Sequence, residues 1–276
     1  MMRSLWTAAS GMRVQQVNVD TIANNVANIN TIGYKSQQAS FKSLLYQNLQ
    51  STSTNNAGEN KPVAAEVGLG SRVAAITSTF TQGNLTHVEN PFSVALEGDG
   101  FFQIRTESGE LQYTRDGSFE ISPVANGNML CTSDGNPVLD AYGNQIILPS
   151  NRVATDLVVN QDGTLAFPDG TGNPAVITDA NGRPVKFGIY QFNNPAGLSK
   201  EGSNNYSVTV ASGAAVAENG NAAVKQTKTH QYYTEASNVD VANEMVNLIV
   251  AQRAYEMNSK AIQASDEMMQ QANALR

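Results

Sequence analysis

Cysteine is nearly absent: Cys131 is the only one in 276 residues, so no internal disulfide staples the fold, and an oxidising destination is neither shown nor excluded. Histidine occurs twice, as His87 and His230, which rules out a His-rich metal site. Charge is sparse at 15%, and 17 basic against 24 acidic side chains leave a formal net charge of -7. No run of Lys or Arg occurs, so nothing offers nucleic-acid phosphates a positive groove. Long apolar runs are missing too. Nothing approaches the roughly 18 residues of a membrane span. Met1-Met2-Arg3 leads into an amphipathic, polar-interrupted stretch rather than the apolar core of a secretory signal peptide. Should the protein leave the cytoplasm, the expectation is export without a cleaved signal.

What is present is concentrated at the two ends. Leu5, Met12, Val19 and Val26 fall seven apart, and Ala8, Gln15, Ile22 and Ile29 repeat at the same interval. That alternating three-and-four spacing predicts a helix with a coiled-coil-like seam. Val241, Leu248, Tyr255, Ile262 and Met269 keep the same step near the other end, flanked by Ala251, Ala254, Ala261, Met268, Ala272 and Leu275. The first helix is expected from a Ser4 cap to about Ala27 or Asn30, with Gly33 closing the helical stretch. The second is announced by Glu235-Ala236-Ser237-Asn238, where Ser237 or Asn238 can cap and Asp240 and Glu244 lie near the positive end of the dipole. Neither stripe can be buried by its own helix, so the two need each other or other copies of the chain. The polar positions of the first helix are mostly amides, including Gln15, Gln16, Asn18, Asn24, Asn25 and Asn28. Amides suit an outer face that also meets neighbours, because they hydrogen-bond without burying charge.

Between the helices the pattern changes. Short alternating runs such as Phe102-Gln103-Ile104 and Tyr206 to Val210 are separated by Asp99-Gly100, Asp116-Gly117, Asn126-Gly127, Asp134-Gly135, Asp162-Gly163, Asp169-Gly170 and Asn181-Gly182. Such pairs supply turn geometry between strands. The expected fold class is therefore α+β multidomain, with a helical core from residues 1–34 and 235–276 and an all-β outer domain over 72–234 inserted between them. Residues 35–71, with their Ser/Thr/Asn-rich stretch before Pro62, read by composition as an extended connecting segment.

The chemical signals in the middle fail one by one. Gly98-Asp99-Gly100 is followed by a strand pattern, so no helix N-terminus receives a phosphate. The Asp-Gly pairs lack the spaced acidic ligands and distal Glu of a calcium loop. Cys131 has no His near it in sequence and reads as a small buried residue, and His87 and His230 read as structural. Arg115 and Asp116 are adjacent on a strand and point to opposite faces, so an ion pair from Arg115 to a neighbouring loop or subunit is expected. No catalytic, cofactor or metal residue emerges.

The run Ile22 to Lys35, IANNVANINTIGYK, resembles the N-terminal signature of the flagellar axial proteins, which form the rod and hook of the bacterial flagellum. Gly98 to Ile104 (GDGFFQI) and Tyr113 to Phe119 (YTRDGSF) are similar to the paired motifs opening that family's middle domain. Ser237 to Val239 (SNV) and Gln252 to Tyr255 (QRAY) resemble its C-terminal helix signature. One departure stands out: a Gln-Gly step often precedes that helix, whereas Gln231 is followed here by Tyr232.

The resemblance implies a structural subunit that polymerises helically, with terminal helices in an inner tube and β domains in the outer wall, transmitting motor torque and catalysing nothing. It implies partners in other rod and hook proteins, the flagellar type III export apparatus and envelope ring proteins, and a location in the basal body. The extended stretch after the first helix is similar to that of distal-rod members. There it stiffens the lattice, with Leu44, Leu45 and Tyr46 as foothold and Pro62 limiting backbone freedom. The polymerisation surface is then expected at Leu5, Met12, Val19, Ile22, Val26, Ile29, Val241, Leu248, Tyr255, Ile262 and Met269. Another axial protein, of the proximal rod or hook, is the nearest alternative. A β-domain adhesin on a helical stalk is more remote, since it should carry a signal peptide or anchor.

Overall fold

The N-terminal repeat forms α1, Met2–Ala27, and its C-terminal counterpart forms α2, Val241–Ala274. In this computed structural model, residues 2–50, 65–125, 127–150, 152–168, 174–179, 182–221 and 224–274 are described. Pro62, Leu275 and the Asp169-Gly170 turn lie outside them, as do Asn126 and Asn181 of two further turn pairs.

The two helices pair antiparallel. Ser4 Oγ lies 3.4 Å from Ser265 Oγ, a Cβ on Gly11 would lie 2.9 Å from Asn258 Nδ2, and Asn25 Nδ2 donates to Glu244 Oε1 at 3.0 Å. Partner numbers thus fall along α2 as they rise along α1. The missing side chain of Gly11 leaves room there for the side-chain amide of Asn258. Ala8 and Ile22 are buried and Leu5, Met12, Val19 and Val26 half-buried, so the expected stripe on α1 does face inward. On α2, Leu248, Ile262 and Met269 are half-buried, whereas Val241 and Tyr255 are exposed. The cap differs from expectation. Asp240 Oδ1 accepts from the backbone N–H of Ala242 and Asn243 at 3.0 and 3.4 Å, leaving Asn238 free for another task.

The stretch read as a connecting segment is mostly paired strand where it is described. β1, Gln37–Ser43, runs antiparallel to a later strand, and β2, Tyr46–Gln50, to β3, Ala65–Gly68. The partner of β1 is β4, Ser71–Ser78. The N–H of Leu44 donates to Gly70 O at 2.8 Å and that of Leu69 to Leu45 O at 3.2 Å, which joins the two ladders.

The chain divides into two compact units. Unit 1 holds Met1–Ala27, Gln37–Ser78 and Asp240–Arg276, and unit 2 holds Asn28–Ser36 and Thr79–Val239. Residues 28–34 and 235–239, which the sequence pattern joins to the helical core, thus fold with the β-rich unit.

Unit 2 is built on an antiparallel six-stranded sheet in the order Ser199–Gly202, Asn205–Ser207, Leu111–Thr114, Phe101–Arg105, Ile189–Gln191 and Val216–Ala217. The Phe101–Arg105 strand is covered on both sides. Phe102 and Ile104 enter one core cluster with Leu96, Phe119, Leu130 and Phe187, while Phe101 enters another with Tyr113, Phe192 and Tyr206. Period-two alternation puts Phe101 and Phe102 on opposite faces, so the GDGFFQI motif anchors two cores at once. Gly117 owes its place to space rather than to a positive φ: a Cβ there would lie 1.8 Å from Val94 O.

Tyr232, where the family resemblance breaks, adopts φ 66. A glycine takes that conformation freely, whereas an L side chain is strained by about 1–2 kcal/mol. Tyr232→Gly is therefore expected to raise stability by up to about 1 kcal/mol after the added unfolded-state entropy of glycine. A thermal melt checks this, and a lower melting temperature would mean that the stacking of Tyr232 on His87, with ring centroids 6.4 Å apart, outweighs the strain.

Candidate assembly site

In unit 1 the side-chain amide of Asn25 ties the helix pair to the ribbon. Asn25 is buried, and its side chain donates to Gln37 O and accepts from Gln37 N, both at 2.8 Å, while its Nδ2 also reaches Glu244. The amide behaves as a strand partner for β1, which fixes how the chain returns along α1 after the turns at 28–33. This corrects the sequence expectation for the amide positions: Asn25 serves an internal joint rather than an outer face. Asn25→Ala would strip both backbone groups of the half-buried Gln37 of their partner, and each hydrogen bond lost costs about 1 kcal/mol. The expected outcome is a loss of about 2 kcal/mol in unit 1, read as faster hydrogen exchange at the Gln37 amide.

The first half of α2 carries a cluster of apolar side chains away from the side that meets α1. Met245, Val246, Ile249, Val250 and Met257 are each more than half exposed. Exposed apolar side chains clustered in this way mark an interaction surface. Leu44 is half-buried against α1, but Leu45 and Tyr46 are 81% and 61% exposed, so of the expected foothold only Leu44 is seated within this chain. Ile29 is half-buried and belongs to unit 2.

Sequence reasoning missed a buried charge cluster in unit 2. Lys35 Nζ lies 2.6 Å from Glu235 Oε1, Arg115 Nη1 lies 3.4 Å from Glu235 Oε2, and all three side chains are essentially inaccessible. Glu235 Oε1 also accepts from Gly83 N at 2.8 Å, and Glu235 O from Gly33 N at 2.8 Å. Lys35 Nζ also donates to Thr81 O at 2.8 Å and Arg115 Nη2 to Gly98 O at 2.7 Å, while Arg115 Nε is buried without a hydrogen-bond partner among the described residues. Gly33, at φ 69, approaches so closely that a Cβ would lie 2.9 Å from Asp116 N. Asn238 completes the junction by accepting from Ser36 N at 2.7 Å and donating to Thr79 O at 2.8 Å. The Arg115 ion pair expected with a loop or subunit is thus made inside the chain. The only available signal was that Lys35 and Arg115 lie inside family motifs and Glu235 just ahead of another, since their separations in sequence carry no spacing rule.

Burial pushes the Lys35 ammonium below the ordinary lysine value, and Glu235 only partly offsets this. The nearby Tyr206 phenol is pushed up to about 12, chiefly by burial, and so stays neutral. Both shifts come chiefly from taking the groups out of water in the packed joint. Elsewhere, His230 Nε2 pairs with Glu97 at 2.7 Å and Cys131 is a buried free thiol. Among the described residues, no group of three or more His, Cys, Asp or Glu is placed to hold a metal, and no helix is long and apolar enough to cross a membrane.

Three family models match the chain in order: the flagella basal body rod protein over residues 5–35, the flagellar hook protein FlgE/F/G D1 domain over 95–167, and the flagellar basal body rod FlgEFG protein C-terminal over 230–275. Each segment supplies one member of the cluster: Lys35, Arg115 and Glu235 respectively. Along its length the chain is 42% identical to the flagellar basal-body rod protein FlgG of Borreliella burgdorferi over 282 residues, covering 100% of this chain and 99% of the relative. It is 40% identical to that of Agrobacterium fabrum, covering 97% of each, and 37% identical to that of Caulobacter vibrioides, covering 100% of each. Likeness of this degree over the whole length shows that the chain belongs to the flagellar basal-body rod protein family.

Proposed function

We propose that the chain is a subunit of the distal rod, polymerising head to tail into a stiff shaft that carries torque from the motor to the hook. Its role is mechanical, not catalytic. The observation that carries this reading is the unpartnered apolar flank of α2, from Met245 to Met257, which a single copy leaves in water. Such a surface on a rod-family chain is covered by neighbours in the polymer. The half-buried stripe residues, Leu5, Met12, Val19, Val26, Leu248, Ile262 and Met269, then hold the helix pair, while the exposed Val241 and Tyr255 join the flank in facing other copies. Other rod and hook proteins adjoin the two ends of the shaft, envelope ring proteins surround it, and the flagellar type III apparatus delivers the subunit.

The paired β2 and β3 strands favour the rod over the hook. A tube bends only if subunits slide along one side, and a stiff two-stranded arm reaching a neighbour resists that sliding. Deleting residues 47–67 is expected to leave assembly intact and to broaden the curvature distribution of the polymers in electron micrographs. Equal straightness would remove this mechanical reason for preferring the distal rod. Labelled subunits in isolated basal bodies should decorate the part of the rod nearest the hook, and decoration of the hook itself would refute the assignment.

A further inference from the structure

We propose that the groove between α1 and the joint of the two strand ladders is the seat for α2 of a second copy. This rests on the reading that the chain polymerises, and assigns the contact that propagates the polymer. The groove has a volume of about 670 Å³ and is walled by Trp6, Val14, Val17, Leu44, Leu69 and Val73, all within unit 1. Trp6, the only tryptophan, is 75% exposed. The walls are pinned rather than loose. A Cβ on Gly70 would lie 2.0 Å from Ser10 Oγ, and that hydroxyl accepts from Ser71 N at 3.3 Å, so ribbon and helix are held in contact at the groove floor.

The chain's own α2 cannot fill this space. It packs on the side of α1 marked by Ser4, Gly11 and Asn25, and at about 100° per residue Trp6, Arg13 and Val17 fall on the opposite side. The groove therefore waits for a different helix, and charge selects which one. Arg13 and Arg72 line the groove and no carboxylate does. On α2, Met245, Ile249 and Glu256 recur at steps of four and seven and so share one face, two apolar knobs followed by an acid. Both knobs are more than half exposed. Glu256 makes an exposed pair with Arg253 at 2.9 Å, a contact weak enough to be exchanged for Arg72. Donor face and acceptor groove are different surfaces of one chain, so the contact does not close on itself and generates an open filament.

The test uses the full chain. Arg72→Glu and Glu256→Arg are each expected to reduce the pelletable polymer at least tenfold while the monomer's circular dichroism is unchanged, and the double variant is expected to recover most of it. Polymerisation of the wild type should shift Trp6 emission to the blue. Val73→Cys combined with Met245→Cys should give a disulfide ladder on oxidation of polymers, with Cys131 alone giving none. Single variants that polymerise like the wild type, a double variant that fails to recover, or a ladder absent from well-formed polymers would each overturn the groove contact while leaving the rod assignment standing. A groove protected only when another axial protein is added would make that protein the occupant and overturn the proposal. Failure of the wild type to polymerise under any condition would remove both.

Discussion

Glu235→Gln is expected to destabilise unit 2 by about 3–5 kcal/mol, because removing one partner of a buried ion pair leaves charge uncompensated in a low-dielectric interior. Glutamine keeps the size and can still accept from Gly83, so the variant isolates the charge. Lys35 and Arg115 would then sit together with no anion between them. For a unit of this size each kcal/mol moves the midpoint by about 2–4 °C, giving an expected fall of about 6–20 °C. The pH dependence has a definite sign. Lys35 already has a folded value below its ordinary 10.5, mainly through burial. Between the folded and unfolded values the unfolded chain binds more protons, so stability for this group rises with pH through that window. Without Glu235 the folded value falls further, and the deficit of the variant is expected to shrink between pH 7 and pH 10. The triple replacement Lys35→Met, Arg115→Met and Glu235→Leu, which removes all three charges, should recover much of the loss, as apolar substitution of buried ionic clusters often does. A Glu235→Gln melt within 2 °C of the wild type would show that the cluster holds nothing together.

The helices were legible because their repeat is a property of nearby residues: three-and-four spacing shows within about two turns of α1 or α2. The β-rich middle was legible for the same reason, through Asp-Gly turns and the alternation around Phe102. What could not be read were the joints. The Lys35–Glu235 pair closes across 200 residues of sequence separation, and no local pattern encodes it. Asn25 looks like its neighbours Asn24 and Asn28 until Gln37 is placed beside it. The ribbon was hidden because a strand pair that is exposed over most of its length needs little apolar alternation: β1 reads Gln-Gln-Ala-Ser-Phe-Lys-Ser and is largely exposed. The boundary shift has a related cause. Residues 28–36 carry no strand period, and join unit 2 through Gly33 and Lys35, single side-chain and backbone contacts made to distant segments.

Ile22→Asp and Ile249→Asp are expected to fail in opposite ways, although both put a carboxylate on an apolar helix position. Ile22 is buried inside unit 1, so the charge must be taken out of water with no cation to meet it, a penalty of several kcal/mol. The expected result is a monomer that has lost helical signal and melts early, because α1 no longer packs within its own unit. Ile249 is 56% exposed, and a surface change of this kind moves stability by about 0.5 kcal/mol or less. Its monomer should therefore match the wild type by circular dichroism and thermal melting. In the polymer the same carboxylate would be buried against a neighbour at every repeat, so assembly should stop. Sedimentation and electron microscopy of the two variants separate the roles: buried stripe residues hold the subunit together, and exposed flank residues hold subunits to one another. If Ile249→Asp forms filaments at wild-type concentrations, the flank is not an interface, and the apolar first half of α2 loses its explanation.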